Sequence, residues 1–138
     1  MKFSKLNNPD AIVNISISKY LIDWDRKVSK PQLATKSFLR QYWETSTVLE
    51  EFMIPGSKLR ADLINLTTKI FLEVSPNSTH KKFNPFMHGS RIGFLGTIKR
   101  DEQKRVWAEQ NGFHYVELTD LHLKNLTKQT FAELGVDL

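Results

Sequence analysis

Apolar and polar residues alternate most regularly between residues 58 and 75, where the pattern predicts a β-hairpin. Residues 59–66 alternate with the period of a strand that has two different faces. Ile70 to Val74 form a short apolar run rich in β-branched and aromatic residues, which is typical of a strand buried on both faces. Thr67 and Thr68 form the predicted turn between the two strands.

The length of this turn decides which residues face each other. With a loop of two residues, the numbers of each facing pair sum to 135, and Asp62 lies directly opposite Glu73. Like charges in this position destabilise an antiparallel pair. A divalent cation such as Mg²⁺ would stabilise them, because it binds one or two carboxylates together with water and phosphate oxygens. A loop of three residues is the alternative, in which the register slips and Glu73 points to solvent or pairs with Arg60.

The other elements predict a mixed α/β chain. Their order is strand, helix, three strands, loop, helix, strand and helix, which indicates an α/β or α+β fold with a mixed central sheet. Outside the hairpin we predict an edge strand at Ala11–Ile17, a helix from Ser29 to Trp43, a strand at Val48–Ile54, a helix at Thr97–Asn111, a strand at Phe113–Leu118 and a helix at Leu121–Leu134. Gln32 shares a face of the first helix with Leu39, so we expect it to point inward.

Composition places the chain among ordinary globular domains. A length of 138 residues, with 40% hydrophobic and 25% charged residues, predicts one domain with a substantial core. The sequence contains no run of 18 apolar residues and no signal-peptide pattern, so neither a membrane span nor export is expected. The absence of cysteine excludes disulfides and thiolate zinc sites, and it fits a reducing cytosol.

The positive charge is concentrated in one part of the chain. The whole sequence carries a formal charge of +5, and the window from His80 to Arg105 alone accounts for it, with seven basic residues against Asp101 and Glu102. Such a window favours a polyanionic partner, with nucleic acid first. The alternative is a solvated basic loop and helix. The basic residues are Lys81, Lys82, Arg91, Lys99, Arg100, Lys104 and Arg105.

Four segments resemble one known family. The chain is similar to the very-short-patch-repair endonuclease-like branch of the PD-(D/E)xK nuclease superfamily, which includes the EDxHD homing endonucleases. The similar segments are Lys30–Leu39, Leu59–Leu63, Phe71–Val74 with His80, and Lys99–Arg105 continuing to Asn111–Gly112. The resemblance covers roughly residues 28 to 120. It implies a restriction-endonuclease-like sheet flanked by helices, with residues 1–27 as an N-terminal extension and 121–138 as a C-terminal helix.

The resemblance also implies roles for individual residues. Asp62 would be the metal-binding aspartate and Glu73 the second acidic residue of the hairpin, holding Mg²⁺ or Mn²⁺. His80 would act on the attacking water or support the metal. Asp101 would orient His80 or a water molecule.

The chain departs from the family at three points. Gln32 stands where the family has a glutamate, and a neutral amide binds a hard cation more weakly than a carboxylate. Ser75 stands where the superfamily has its core lysine, and His80 lies one residue farther from Glu73 than usual. Either Glu44 or Glu50 could supply the missing carboxylate. Gln32 itself could instead be a structural amide.

Together these features predict a metal-dependent DNA endonuclease whose basic window contacts phosphates. The alternative is a catalytically lapsed protein of the same fold that binds nucleic acid or a protein partner. We expect DNA as the partner, with a homodimer or a separate DNA-recognition protein compatible with the sequence. The expected location is the cytoplasm, for a cellular protein or one encoded by a phage or mobile element.

Overall fold

A computed structural model describes the backbone of residues 1–76 and 91–138 and the side chains of residues 1–76 and 100–138. Its strands are β1 (Lys2–Lys5), β2 (Asn8–Asn14), β3 (Val48–Met53), β4 (Arg60–Asn65), β5 (Ile70–Ser75) and β6 (His114–Thr119). Its helices are α1 (Lys30–Trp43), α2 (Arg91–Gln110), α3 (Asp120–Leu123) and α4 (Lys128–Glu133), with a 3₁₀ turn at Ser18–Tyr20.

The central sheet is mixed, as the sequence predicted. Its strand order is β3-β4-β5-β6, with the first two pairings antiparallel and the pairing of β5 with β6 parallel. The protein therefore has an α+β fold. Strand β2 does not join this sheet, because it pairs with β1 in a separate two-stranded sheet.

The register of the hairpin β4–β5 is the predicted one. Leu63 pairs with Leu72 and Asn65 with Ile70, so the numbers of each pair sum to 135. The turn is wider than two residues and spans 66–69, with Lys69 in the left-handed region at φ 63°. The buried Asn65 holds this turn, because its Oδ1 accepts hydrogen bonds from the backbone N–H groups of Thr67 and Thr68, both at 3.0 Å.

Two clusters of buried apolar residues cover the two faces of the sheet. Neighbouring residues of one strand belong to different clusters: Ile64 and Phe71 to the first, Leu63 and Leu72 to the second. This alternation is the period of a strand buried on both sides. Helix α2 supplies Trp107 to the first cluster, beside Phe3 of β1, whereas α1 and α4 supply Leu39, Trp43 and Phe131 to the second.

Helix α1 begins and ends close to the predicted residues. Ser29 is its N-cap, Pro31 lies in its first turn and Trp43 is its last residue. Proline is compatible with the first turn, because its missing N–H would have no intrahelical acceptor there. The buried face of α1 includes Gln32 and Leu39, so the predicted inward orientation of Gln32 is confirmed.

The prediction of one helix at Leu121–Leu134 is wrong. Two short helices occupy this segment, α3 and α4, and four residues separate them. The helix restarts at Thr127, whose side chain accepts a hydrogen bond from the Thr130 backbone N–H at 3.1 Å. Threonine favours this N-cap geometry over the interior of a helix.

Helix α2 is longer than the predicted Thr97–Asn111, since it already includes Arg91. Gly112 follows it with φ 77°, which fits its predicted role as a C-terminal stop. In the described ranges 1–76 and 91–138, no helix combines the length and apolar composition needed to cross a bilayer.

The turn that sets the hairpin register can be tested at Asn65. Asn65→Ala removes the acceptor of two backbone hydrogen bonds, so we expect the free energy of unfolding to fall by about 1–2 kcal/mol. Chemical denaturation followed by tryptophan fluorescence measures this change. The exposed Thr68→Ala is the matched control, and its effect should stay within about 0.5 kcal/mol. Equal losses in the two variants would contradict the role of Asn65.

Candidate functional site

Asp62 and Glu73 lie side by side where the ladder between β4 and β5 ends. The Asp62 backbone N–H donates to Glu73 Oε1 at 3.2 Å. In return, the Val74 backbone N–H donates to Asp62 Oδ2 at 2.8 Å. The side chains thus replace the backbone acceptors of a regular antiparallel pair. The structure brings these two predicted residues together.

Glu73 is nearly inaccessible to solvent. Burial, followed by the nearby charge of Asp62, raises the pKa of Glu73 from its ordinary 4.5 to about 8, although Lys104 acts in the opposite direction. Burial also raises the pKa of Asp62, against the lowering effect of the Val74 hydrogen bond and of Lys104. The site therefore disfavours two negative charges and would be stabilised by an added cation.

Lys104 supplies one positive charge to this site. Its Nζ lies 3.0 Å from Glu73 Oε2, and its side chain is only 17% exposed. We predicted Lys104 as one of several phosphate contacts, but the structure places its ammonium on a buried carboxylate. Asp101 precedes it by three residues, so the two occupy the same face of α2.

Glu51 is a third carboxylate near Asp62, and the sequence analysis missed it. Its neighbours on β3 pair with the neighbours of Asp62 on β4, namely Glu50 with Leu63 and Phe52 with Ala61. The charge of Glu51 contributes to the raised pKa of Asp62. The turn at 55–57 could have revealed it, because folding β3 back on β4 brings residue 50 or 51 opposite Asp62.

Gln32 is connected to this third carboxylate. The buried Gln32 side chain donates from Nε2 to Glu51 Oε1 at 3.1 Å. Glu51 adopts a φ of 52°, which costs a residue with a side chain about 1–2 kcal/mol. Backbone strain of this kind occurs preferentially at functional sites. The hydrogen bond between Gln32 of α1 and the strained Glu51 of β3 thus connects α1 to the site.

Glu44 and Glu50 were the two candidates to replace the family's glutamate, which is absent at Gln32. Neither of them lies at the site of Asp62 and Glu73. Glu50 Oε2 lies 2.6 Å from Nζ of the fully buried Lys36, so this carboxylate belongs to a buried ion pair. Lys36 is further held by the backbone carbonyls of Asp23 and Arg26. Glu44 is 62% exposed beside Arg40 at the end of α1. Glu51 is the carboxylate that adjoins Asp62.

Tyr115 on β6 is a further polar group that the sequence analysis did not identify. Its hydroxyl is buried and, among the described residues, has no hydrogen-bond partner. Burial raises the pKa of Tyr115, and the carboxylates of Glu73, Glu117, Asp101 and Asp62 raise it further. The hydroxyl therefore stays protonated and can donate a hydrogen bond into the acidic site.

Several predicted site residues cannot be compared with this geometry. His80, Lys81 and Lys82 lie outside the described residues, and of Arg91 and Lys99 only the helical backbone is described. Arg100 is exposed. Arg105 is half-exposed and pairs with Glu102 and Glu109 along its own helix. Their contacts with phosphates stay predictions.

The donor groups fit a hard divalent cation better than zinc. Within the part of the chain that the structure describes, no three His, Asp or Glu side chains converge on a point that could hold a metal by themselves. Structural zinc sites need four such ligands and catalytic ones need three. Mg²⁺ requires only one or two carboxylates, with water and substrate phosphate completing its shell. Asp62 and Glu73 could hold it in this way.

Searches against protein-family models, curated proteins and solved structures find no match for this chain.

The raised pKa of Glu73 predicts how stability depends on pH. The folded protein holds a proton on Glu73 up to about pH 8, whereas the unfolded chain releases it near its ordinary pKa of 4.5. The folded state then binds more protons over this interval, so stability should fall as the pH rises from 5 to 8. Denaturant titrations in EDTA at several pH values measure this slope.

Glu73→Gln should flatten the slope, because the amide does not titrate. Glu44→Gln, at an exposed position, is the matched control and should retain the wild-type dependence. A Glu73→Gln variant that keeps the full slope would show that other groups cause it.

Proposed function

We propose that the protein is a metal-dependent DNA endonuclease that hydrolyses phosphodiester bonds. One observation carries the proposal: the buried Glu73 and the half-buried Asp62 lie on adjacent strands, and both have raised pKa values. The site disfavours the fully ionised pair, and a divalent cation would stabilise that ionised form. The resemblance of the flanking segments to PD-(D/E)xK nucleases supports this choice over other metal-dependent chemistry.

Each group has a defined task in this proposal. Asp62 and Glu73 would hold Mg²⁺ or Mn²⁺, which polarises a phosphate oxygen and offsets developing negative charge. Lys104 keeps a positive charge at Glu73 and can also face a phosphate oxygen. Tyr115 can donate a hydrogen bond from its protonated hydroxyl. The resemblance adds His80 as the residue that serves the attacking water, with Asp101 as its orienting group.

A lapsed nuclease that only binds is the second candidate, and a specific observation favours it. Lys104 Nζ already lies 3.0 Å from Glu73 Oε2, and the Gln32 amide already donates to Glu51 Oε1 at 3.1 Å. These two contacts stabilise the acidic groups without a metal. Under this second proposal, the carboxylates are a structural remnant and the protein retains only its affinity for nucleic acid or a protein partner.

DNA is the partner in the first candidate, and both candidates place the protein in the cytoplasm. A homodimer or a separate DNA-recognition protein would supply the sequence specificity that phosphate contacts lack.

Asp62→Asn tests the proposed enzyme. The amide oxygen can still accept the Val74 N–H, but the negative charge for the metal is lost. We expect Mg²⁺-dependent nicking of supercoiled plasmid to fall about 100-fold or more, since a metal supplies several kcal/mol of transition-state stabilisation. The melting temperature should stay constant or rise, because a partly desolvated carboxylate whose charge is disfavoured is removed.

The exposed Asp10→Asn is the matched control and should cleave like the wild type. If wild-type protein shows no metal-dependent nicking above the Asp62→Asn background, the enzyme proposal fails and the lapsed candidate remains.

Gln32→Glu separates the two candidates by stability alone. The new carboxylate would lie beside Glu51 and lose the amide's hydrogen bond, so in EDTA we expect a loss of about 1–3 kcal/mol. If the site accepts a cation, Mg²⁺ or Mn²⁺ should restore much of that loss and bind more tightly than to wild type. Thermal unfolding with and without metal measures both effects.

The exposed Gln41→Glu controls for a general effect of charge and should show no response to metal. A destabilised Gln32→Glu protein that metal does not rescue would identify Gln32 as a structural amide.

A further inference from the structure

A polar cavity of about 220 Å³ lies beside the acidic site, between the N-terminal segment and strands β3 and β4. The N-terminal segment contributes Lys19 and Arg26 to its lining, and β4 contributes Arg60. Glu50 and Glu51 of β3 also line it. The volume suffices for a phosphate group with several waters, since one water occupies about 30 Å³ in the liquid.

The cavity has an excess of positive charge. Three cationic side chains line it, Lys19, Arg26 and Arg60, against two carboxylates. The fully buried Lys36 also neutralises the charge of Glu50, because its Nζ lies 2.6 Å from Glu50 Oε2. The lining by itself carries one surplus positive charge, and the fully buried Lys36 outside the lining adds another next to Glu50.

Two of the cavity's cations are available to a ligand. Arg60 is exposed and makes no ion pair with any described residue. Lys19 is exposed, and its ammonium lies 5.1 Å from the centroid of the Tyr20 ring. Among the described residues, the Arg26 guanidinium pairs through Nε with Glu50 Oε1 at 3.4 Å, and its two terminal nitrogens can bind a second group. A concave wall with these donors matches a phosphate.

The cavity is joined to the carboxylate site through two residues. Glu51 lines the cavity and also accepts the hydrogen bond from Gln32. Arg60 precedes Asp62 by two residues on β4, a separation of about 7 Å along a strand. Phosphates of one DNA strand follow each other at about 3.4 Å along the duplex axis. A strand crossing Asp62 would therefore bring a phosphate one or two nucleotides away to Arg60.

We propose that this cavity binds a backbone phosphate of the DNA strand next to the phosphate at Asp62 and Glu73. The inference rests on the proposed DNA-cleaving function and extends it, because it assigns substrate binding to the N-terminal segment and not only to the window from His80 to Arg105. Lys19 and Arg60 bind this one phosphate together, and Arg26 adds a third cation to the lining.

DNA binding without metal tests the proposal independently of cleavage. Affinity for a short duplex is measured in EDTA over a range of salt concentrations for the wild type, Lys19→Ala, Arg60→Ala and the double variant. We expect the double variant to bind about tenfold more weakly, as for a lost charged hydrogen bond. Its log–log salt slope should fall by about one unit, because one phosphate contact releases about 0.9 counterion.

Lys128→Ala on the distant helix α4 is the control for a loss of surface charge. If it reduces the slope as much as the double variant does, the cavity has no special role and the inference is overturned. Arg60→Glu provides a second readout and should weaken binding more than Arg60→Ala while the melting temperature stays close to that of the wild type. A binding curve for Arg60→Glu identical to the wild type would also overturn the inference.

Inorganic phosphate distinguishes a DNA site from a site for the free anion. In a ¹⁵N NMR titration, phosphate should shift the amides around Lys19 and Arg60, and the double variant should lose these shifts. Phosphate shifts together with an unchanged DNA salt slope would assign the cavity to the free anion and refute the DNA proposal. If the wild-type protein binds DNA through the cavity but does not nick it, the proposed nuclease activity is refuted and the phosphate site in the cavity stands.

Discussion

The contact on which the site depends is the reciprocal pairing of Asp62 and Glu73. Each carboxylate accepts a backbone N–H from the opposite strand, Glu73 from Asp62 and Asp62 from Val74. These bonds fix both side chains on a rigid hairpin and hold two carboxyl groups together, with Glu73 buried and Asp62 half-buried. The arrangement costs stability, and Lys104 offsets only part of that cost. In the proposed enzyme, a divalent cation would offset the remainder.

The surrounding elements separate the charges into distinct groups. Glu50 and Glu51 are adjacent in sequence but have different partners. Lys36 holds Glu50 in a buried ion pair, whereas Glu51 turns with a positive φ toward Gln32. Leaving either partner of a buried ion pair alone would cost several kcal/mol. Glu50 is therefore committed to the fold, and the strained Glu51 remains near Asp62.

The two proposed functions differ in how the negative charge of the site is balanced. An enzyme would balance Asp62 and Glu73 with a divalent cation and leave Lys104 to face the substrate. A lapsed protein would balance Glu73 with Lys104 alone. The cationic cavity is compatible with both, because phosphate binding through Lys19 and Arg60 requires no metal.

The sequence by itself determined the geometry inside each element. The strand patterns of residues 59–66 and 70–74, joined by a turn at Thr67 and Thr68, predicted the hairpin register that places Asp62 opposite Glu73. The helical period likewise predicted that Gln32 points inward from α1. Such predictions succeed because the face that a side chain takes within a helix or strand depends on local backbone geometry.

Only the tertiary structure decided which side chains from distant elements meet. Lys104 reaches Glu73 across 31 positions of sequence, and Glu51 reaches Asp62 through the register of a second strand pair. The N-terminal segment contributes Lys19 and Arg26 to a cavity beside a strand that follows 20 residues or more later. These contacts depend on which elements cover each face of the sheet. The period of a sequence shows which face of an element is buried, but not which element packs against it.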